Sequence, residues 1–434
     1  MFIYKQWQDK LKTMPAWFIS IYAAICSFGV YFSMYAFRKP FTAASFEGMS
    51  FLHIEYKVWL VTAQVIGYML SKFYGIKFIS GMKGEKRAST IVLLITIGWI
   101  ALFLFAITPA PYSIIFLLIN GFPLGMVWGL TFSFLEGRRA TEFMGAVLSI
   151  SFIFSSGVVK SAGKSVVLDW HITETWMPFI TGALFMLPMI IFTWLLNHTP
   201  PPSEKDIQSR TKRKPMTAKE RSEFLAMFMP GIVIIVTTYV LLTVLRDFRD
   251  NFANELWGEL GYANNAAIFT KTEIPVSIIV LACMSLLILV KSNIKAFMIN
   301  HYIVMFGYAL TLGATICFSK HMIDPVVWMT LIGTGLYLSY VPFNALYFER
   351  MIASYRVNSN VGFIMYIADS FGYLGSVLVL FIKEFSGMHL SWTAFFIKAI
   401  IIVTTIGLVG TFMASVYFRR KYLSRQSSIQ TFYA

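Results

Sequence analysis

Long, predominantly apolar runs, separated by short groups of charged residues, glycine and proline, set the character of this chain. The first spans 16–37, and runs of similar length follow at 58–80, 89–108, 111–134, 143–167 and 177–196. Six more lie at 229–248, 267–290, 298–318, 325–347, 359–382 and 392–417. Each is long enough to cross about 30 Å of hydrocarbon as an α-helix. The pattern predicts an all-α polytopic membrane protein with twelve transmembrane helices.

Between the sixth and seventh runs lies a stretch of different character, "NHTPPPSEKDIQSRTKRKPMTAKERSE" (Asn197 to Glu223). Rich in Pro, Ser and Lys/Arg, it has too little apolar content to build a core and reads as a solvated linker. The expected organisation is a six-helix bundle at 1–196, a basic cytoplasmic linker at 197–228, a second bundle at 229–418 and a cytoplasmic tail at 419–434. Six helices, a basic linker and six helices are the layout of the major facilitator superfamily, with two pseudo-symmetric bundles. The halves echo each other in detail. The first helix exits as "RKPFTAASFE" (Arg38 to Glu47) and the seventh as "RDFRDNFANE" (Arg246 to Glu255), an arginine preceding a glutamate by nine positions in each. The fourth ends "FLEGRR" (Phe134 to Arg139) and the tenth "YFER" (Tyr347 to Arg350). Such echoes fit a duplicated unit with its site at the repeat interface.

Composition supports the membrane reading. Of 434 residues, 57% are hydrophobic and only 13% charged, with a mean hydropathy of +0.67, which excludes a string of soluble domains. The net charge of +15 is scattered through short inter-helix segments, without a basic domain or an aromatic-basic RNA motif, so no nucleic-acid partner is expected. It reads as topology instead. Lys5, Lys10, Lys12, Lys83, Lys86, Arg87, Arg138, Arg139, Lys291, Lys295, Arg350, Arg356, the linker and Arg419 to Lys421 fall on one side. Lys57, Arg249, Lys320 and Lys383 are what the other side holds. The asymmetry places both termini in the cytoplasm, with the plasma (inner) membrane as the expected location. Residues 1–14 and the first run mimic a signal peptide but lack a small-x-small cleavage site, so an uncleaved first helix is expected. Cys26, Cys283 and Cys317 lie in three different apolar runs without metal-ligand spacing, and are expected to be packing residues.

Ionisable residues within the apolar runs are costly and call for an explanation. The candidates are Arg38, Lys72, Lys160, Lys164, Arg246, Asp369 and Lys398, six cations to one anion among them. That excess predicts an aqueous cavity with positive walls that concentrates anions. Lys398, near the end of the last helix, is expected to snorkel. Lys160 and Lys164 share a helix face at i,i+4, a repulsive arrangement unless an anion lies between them. Asp369 either pairs with a lysine or takes part in ion coupling. "GVVKSAGKS" (Gly157 to Ser165) imitates a phosphate loop, but the Walker spacing needs glycine at Val158, and the run lies inside a predicted helix with no strand before it. No nucleophile elbow, metal-binding helix motif or dinucleotide turn occurs, so neither an enzyme, a metal nor a cofactor is expected.

"YFSMYAFRKPF", "GYMLSKFYG", "YVLLTVLRDFRDNF" and "KTEIP" (Lys271 to Pro275) resemble the corresponding segments of the organophosphate:phosphate antiporters, the glycerol-phosphate and hexose-phosphate transporters. The resemblance covers about a fifth of the chain, in helices 1, 2, 7 and 8. It implies that Arg38 and Arg246 clamp a phosphate, that Lys72 stands beside them, and that Tyr31, Tyr35 and Tyr68 form the aromatic wall. It also implies a gating salt-bridge set of Lys39, Asp250 and Glu273. The family's fifth-helix histidine has no counterpart, with Lys160 falling nearby in its place. Asp247, directly after Arg246, and the loop "GIKFISGMKGEKR" (Gly75 to Arg87), without the usual aspartate, also depart from the family.

These residues suit anion chemistry on their own terms. A guanidinium fork matches a phosphate or carboxylate bidentately, and an ammonium supplies a point charge. The expected function is a secondary active transporter of a small, phosphorylated organic anion. It would work by alternating access with anion exchange favoured, as a monomer in the bilayer. The alternative is a transporter-like membrane sensor of a phosphorylated metabolite, although the linker and tail are too short for a docking domain. A lipid-modifying enzyme would need an acid-base pair at the membrane surface, and none is visible.

Overall fold

Helix α1 (Ala16–Tyr35) runs into a turn at residues 36–39, after which Pro40 supplies no backbone donor. A short 3₁₀ turn, Pro40–Ala43, follows. In the computed structural model, residues 10–80, 82, 84–138, 140–204, 206, 218–355, 361–385 and 391–433 are described. The topology residues Lys5, Lys83, Arg139 and Arg356 and much of the linker lie outside that set.

The remaining long helices are α2 (Tyr56–Ser80), α3 (Arg87–Ile107), α4 (Ile114–Phe132), α5 (Thr141–Leu168) and α6 (Met177–Asn197), then α7 (Ala218–Asn251), α8 (Ile268–Ile288) and α9 (Asn293–Ser319). α10 (Pro325–Pro342) continues through a π-helical stretch, Phe343–Tyr347, into Phe348–Tyr355; α11 (Val361–Phe385) and α12 (Trp392–Tyr433) complete the series. Nine helices among the described residues are long and apolar enough to cross a membrane by length and composition. The other three sequence-predicted spans coincide with α2, which carries Lys57, Lys72 and Lys77, with the interrupted α10, and with α11. α7 begins at Ala218, inside the expected linker, because residues 218–229 are strong helix formers without Gly or Pro. α12 runs through the expected tail for the same reason. One feature is not helical: Ser50–Phe51 pairs antiparallel with Ile54–Glu55 across a turn in which Leu52 and His53 both adopt positive φ, the geometry of a tight hairpin.

By contacts the chain divides into two compact units. The first comprises Met1–Arg210, Phe248–Ser277 and Leu380–Thr393, the second Thr211–Asp247, Ile278–Val379 and Ala394–Ala434.

In the first unit, α2 and α4 meet at reciprocal glycines. A Cβ on Gly67 would lie 2.2 Å from the Leu118 carbonyl oxygen, and one on Gly121 2.3 Å from that of Gln64, so only glycine permits this approach. Next to the seam sits a buried polar network. Asn120 Nδ2 donates to the carbonyls of Phe37 (3.0 Å) and Gly98 (2.9 Å), while its Oδ1 accepts from Gln64 Nε2 (2.8 Å). Gln64 Nε2 also donates to the Arg38 carbonyl (2.9 Å). The carbonyls freed by the end of α1 are thus satisfied by side chains of α2 and α4, which fixes the backbone that carries Arg38.

In the second unit, α9 and α10 use the same device. A Cβ on Gly307 would lie 2.4 Å from the Gly335 carbonyl oxygen, and one on Gly335 2.5 Å from that of Gly307. His301 is buried between the Phe297 carbonyl and the Tyr347 hydroxyl (2.8 Å), which ties the π-helical stretch to α9.

Asn120→Ala is expected to leave several buried polar groups unmatched at once, lowering stability by about 2–3 kcal/mol. Thermal unfolding of the detergent-purified protein measures this. A loss no larger than that of the exposed Thr13→Ala would mean the network does not hold the end of α1.

Candidate functional site

In the first unit, the Arg38 guanidinium lies 3.9 Å from the centroid of the Tyr68 ring and 5.8 Å from that of Tyr35. The Lys72 ammonium lies 5.2 Å from the same Tyr68 ring and 5.9 Å from Trp128. Tyr31 and Tyr35 pack edge-on with centroids 5.4 Å apart, and Tyr31 hydrogen-bonds to Tyr68. Five of the expected residues, Tyr68 and four around it, therefore come together, with Trp128 as a member the sequence reading did not name. Tyr31, Tyr35 and Tyr68 are buried, while Arg38 and Lys72 are half-buried. Stacking on an aromatic face holds a guanidinium by its plane and leaves its edge of N–H donors directed elsewhere.

A second group of charges in the same unit forms an ionic network. Asp250 pairs with both Lys39 and Lys160 and accepts from the Ser156 hydroxyl. Lys39 also donates to Asn251 Oδ1 (2.7 Å), and Lys164 to Asn254 Oδ1 (2.9 Å). Glu273 pairs with Arg249 at 2.7 Å rather than with Lys39. Lys160, expected among the substrate contacts, pairs with Asp250: a carboxylate this far from water needs compensating charge, and Lys160 supplies it alongside Lys39. Lys160 and Lys164 accordingly tolerate their i,i+4 spacing because each has an oxygen partner. Gly157, which suggested a phosphate loop, has a packing reason: a Cβ there would come within 2.7 Å of Glu273 Cβ. Lys398 is exposed, as a snorkelling residue would be.

Lys57, assigned by sequence to a loop, is 1% exposed and engages four oxygen atoms. It donates to both Glu255 oxygens (2.6 and 2.8 Å) and to the carbonyls of Thr42 (2.8 Å) and Ala44 (2.7 Å). Glu255 lies on the short helix Ala253–Glu259, where burial pushes its carboxyl above the usual carboxylate range against the pull of Lys57. Glu259 on the same helix accepts from the backbone N–H groups of Trp392 (2.8 Å) and Thr393 (2.7 Å), at the start of α12. The paired glutamates of the repeat have diverged: Glu255 is enclosed, whereas Glu47 is exposed.

In the second unit, the Arg246 guanidinium lies 3.9 Å from the centroid of the Tyr340 ring and pairs with Asp247. The other Asp247 oxygen accepts from Ser376 (2.9 Å). Asp369 accepts from the Tyr239 hydroxyl (2.6 Å) and has no lysine partner among the described residues. Each unit thus holds one of the two arginines at the same distance over a tyrosine ring, but only Arg246 has a carboxylate on its own helix. Among the described residues no group of three or more His, Cys, Asp or Glu could hold a metal ion.

A family model described as "Family of unknown function (DUF5690)" matches residues 40–421. The chain belongs to this family. Arg38 and Lys39 stand just before the matched segment. No curated protein matches the chain. Among solved structures, it is similar to the nucleoside transporter NupG, at 15% identity over 92% of this chain and 99% of that one, with a TM-score of 0.59. It is similar to a D-xylose-proton symporter at 14% identity over 92% and 97%, with a TM-score of 0.59. The human organic anion transporter MFSD10 (TETRAN) matches at 12% identity over 92% and 100%, with a TM-score of 0.56. At these identities the likeness is one of fold, and the fold is that of the major facilitator transporters.

In this DUF5690 member, sequence reasoning missed Lys57, Arg249, Gln64, Asn120 and Trp128. Lys57 and Arg249 looked like loop cations because they sit at the edges of apolar runs. The recurrent arginine-to-glutamate spacing that marks Glu255 was a signal for one end of the Lys57 pair, but nothing local marked the other.

Lys57→Met should cost about 3–5 kcal/mol, because Glu255 loses its buried counter-charge. Glu255→Gln should cost less, since the lysine keeps its two carbonyls. The double variant should be milder than Lys57→Met alone, which a thermal-unfolding cycle measures. Additive losses would show that the two residues do not act as a pair.

Proposed function

We propose that this protein is a secondary active transporter of a small organic anion, phosphorylated in the leading case, working by alternating access and exchange. Arg38 and Lys72 are the proposed anion contacts in one unit and Arg246 in the other, with Tyr31, Tyr35 and Tyr68 as the wall against which Arg38 is held. The single observation that carries the reading is the pair of cations on the Tyr68 ring, on a chain whose fold is that of transporters. A guanidinium and an ammonium beside one ring are like charges held close together, and like charges repel. An anion between them relieves that repulsion. The similarity of helices 1, 2, 7 and 8 to the organophosphate:phosphate antiporters supports phosphate as the anionic group. The proposed membrane is the plasma (inner) membrane, with both termini cytoplasmic.

If Arg38 contacts the anion through its fork, Arg38→Lys should be nearly as damaging as Arg38→Ala, because lysine keeps the charge and loses the bidentate geometry. The expected loss is on the order of 2–4 kcal/mol of anion affinity. Exchange of inorganic phosphate in liposomes reads it out, with Arg246→Lys in parallel. Near-normal exchange in both lysine variants would return the two arginines to a structural role.

We assign the gate to Lys39, Asp250 and Glu273, with Arg249 as the partner of Glu273. Lys39→Ala and Glu273→Ala should shift the protein toward outward-open forms while equilibrium anion binding stays largely intact. Accessibility of introduced cysteines, combined with binding, separates the roles. Equal loss of binding in both variants would place these residues in the substrate site.

A further inference from the structure

Charge around Arg246 does not have the sign that anion binding alone requires. The polar cluster around Arg246 holds one cation and two carboxylates, Asp247 and Asp369. Arg246 is neutralised on its own helix by Asp247, whose second oxygen is held by Ser376. Asp369 is left over. Its Oδ1 accepts from Tyr239 at 2.6 Å, and no Lys, Arg or His forms an ion pair with it among the described residues. The carboxylate is half-buried on α11. An ionised carboxyl in an apolar run without a counter-charge is costly, and such residues mark binding and transport sites.

The neighbours of Asp369 have the chemistry of cation recognition. Tyr239 and Tyr340 stack with ring centroids 5.4 Å apart, and their hydroxyls are 3.2 Å apart. The Tyr239 hydroxyl donates to the carboxylate at 2.6 Å, the shorter of its two contacts. One oxygen of the carboxylate is thereby held, and Oδ2 has no hydrogen-bond donor among the described residues. Arg246 already lies over the Tyr340 ring, evidence that this aromatic surface holds a cation. Tyr337 and Tyr373 complete the groups near Arg246.

We infer that Asp369, positioned by Tyr239 and Tyr340, is a subsite for an ammonium group, so that the transported anion also carries an amine. This rests on the anion-transport reading and narrows its substrate class to small zwitterions with an anionic group and a primary ammonium. It assigns Asp369 to the substrate rather than to a coupling ion. An acid that accepts one fixed phenol donor and keeps its second oxygen open discriminates an amine from a hydroxyl or methyl of the same size, because only the amine neutralises it.

The experiment is calorimetric titration of the purified full-length protein with three probes: 2-aminoethyl phosphate, ethyl phosphate and ethylammonium. Wild type should bind 2-aminoethyl phosphate at least about tenfold more tightly than ethyl phosphate. Asp369→Asn should abolish that preference, with a thermal-unfolding transition like that of wild type certifying that the variant is folded. Tyr239→Phe should reduce the preference without abolishing it. Equal binding of the two phosphates in wild type, or a preference that survives Asp369→Asn, would overturn the ammonium subsite and leave the anion reading intact. Binding of ethylammonium that depends on Asp369, with neither phosphate bound, would uphold the subsite and overturn phosphate as the anionic group. Failure of all three probes to bind would overturn both.

Discussion

Everything proposed for the first unit depends on how the backbone is held after α1 stops. A helix that ends inside an apolar environment leaves carbonyls without partners, and each is expensive unless a donor reaches it. Here the donors are side chains from two other helices: Asn120 takes the Phe37 carbonyl, Gln64 takes Arg38, and Lys57 takes Thr42 and Ala44. The Thr42 hydroxyl, within the segment, takes Lys39. The irregular segment is therefore as determined as a helix. That is why Arg38 and Lys39, adjacent in sequence, can be committed to different partners, one to an aromatic face and the other to a carboxylate.

The distribution of charge follows from the same economy. Of the cations embedded in the first unit, Lys39, Lys57, Lys160 and Arg249 each meet a carboxylate, and Lys164 meets an amide oxygen. Arg38 and Lys72 instead meet rings. Aromatic faces attract cations through the ring quadrupole rather than through an opposite charge. A cation in a buried ion pair must be released from its carboxylate before it can meet another anion. The second unit has the opposite balance around Arg246, and the two kinds of site are chemically distinct for that reason.

Much of this was legible in the sequence, for identifiable reasons. Helix positions follow from run length and hydropathy, which act locally, and the fold class with them. Arg38, Lys72 and Tyr68 could be grouped because they lie on consecutive helices within familiar motifs. The partners that define the ionic network could not. Lys57 and Glu255 are separated by most of a half-chain, and no local pattern shows that two edge-of-helix charges are enclosed together. Lys160 shows the same limit from the other side: the sequence marks it as an embedded cation, but its pairing with Asp250, ninety residues away, is made by tertiary packing. Gln64 and Asn120 escaped notice because an uncharged amide in an apolar run carries no sign of which carbonyl it serves. The ends of α7 and α12 ran past expectation because local helix propensity persists where apolar content stops.

The notched seam between α2 and α4 has a mechanical consequence. With Gly67 and Gly121 each set against a carbonyl of the opposite helix, the axes are close enough that a shift along the seam by a fraction of a turn would drive neighbouring side chains into backbone. The joint has a single register. Gln64 and Asn120 sit beside it, so the donors that hold the end of α1 are indexed to that register and cannot drift relative to one another. Whatever motion transport requires, this part of the molecule must travel as one piece, carrying the Arg38 backbone with it like a tool fixed in a chuck.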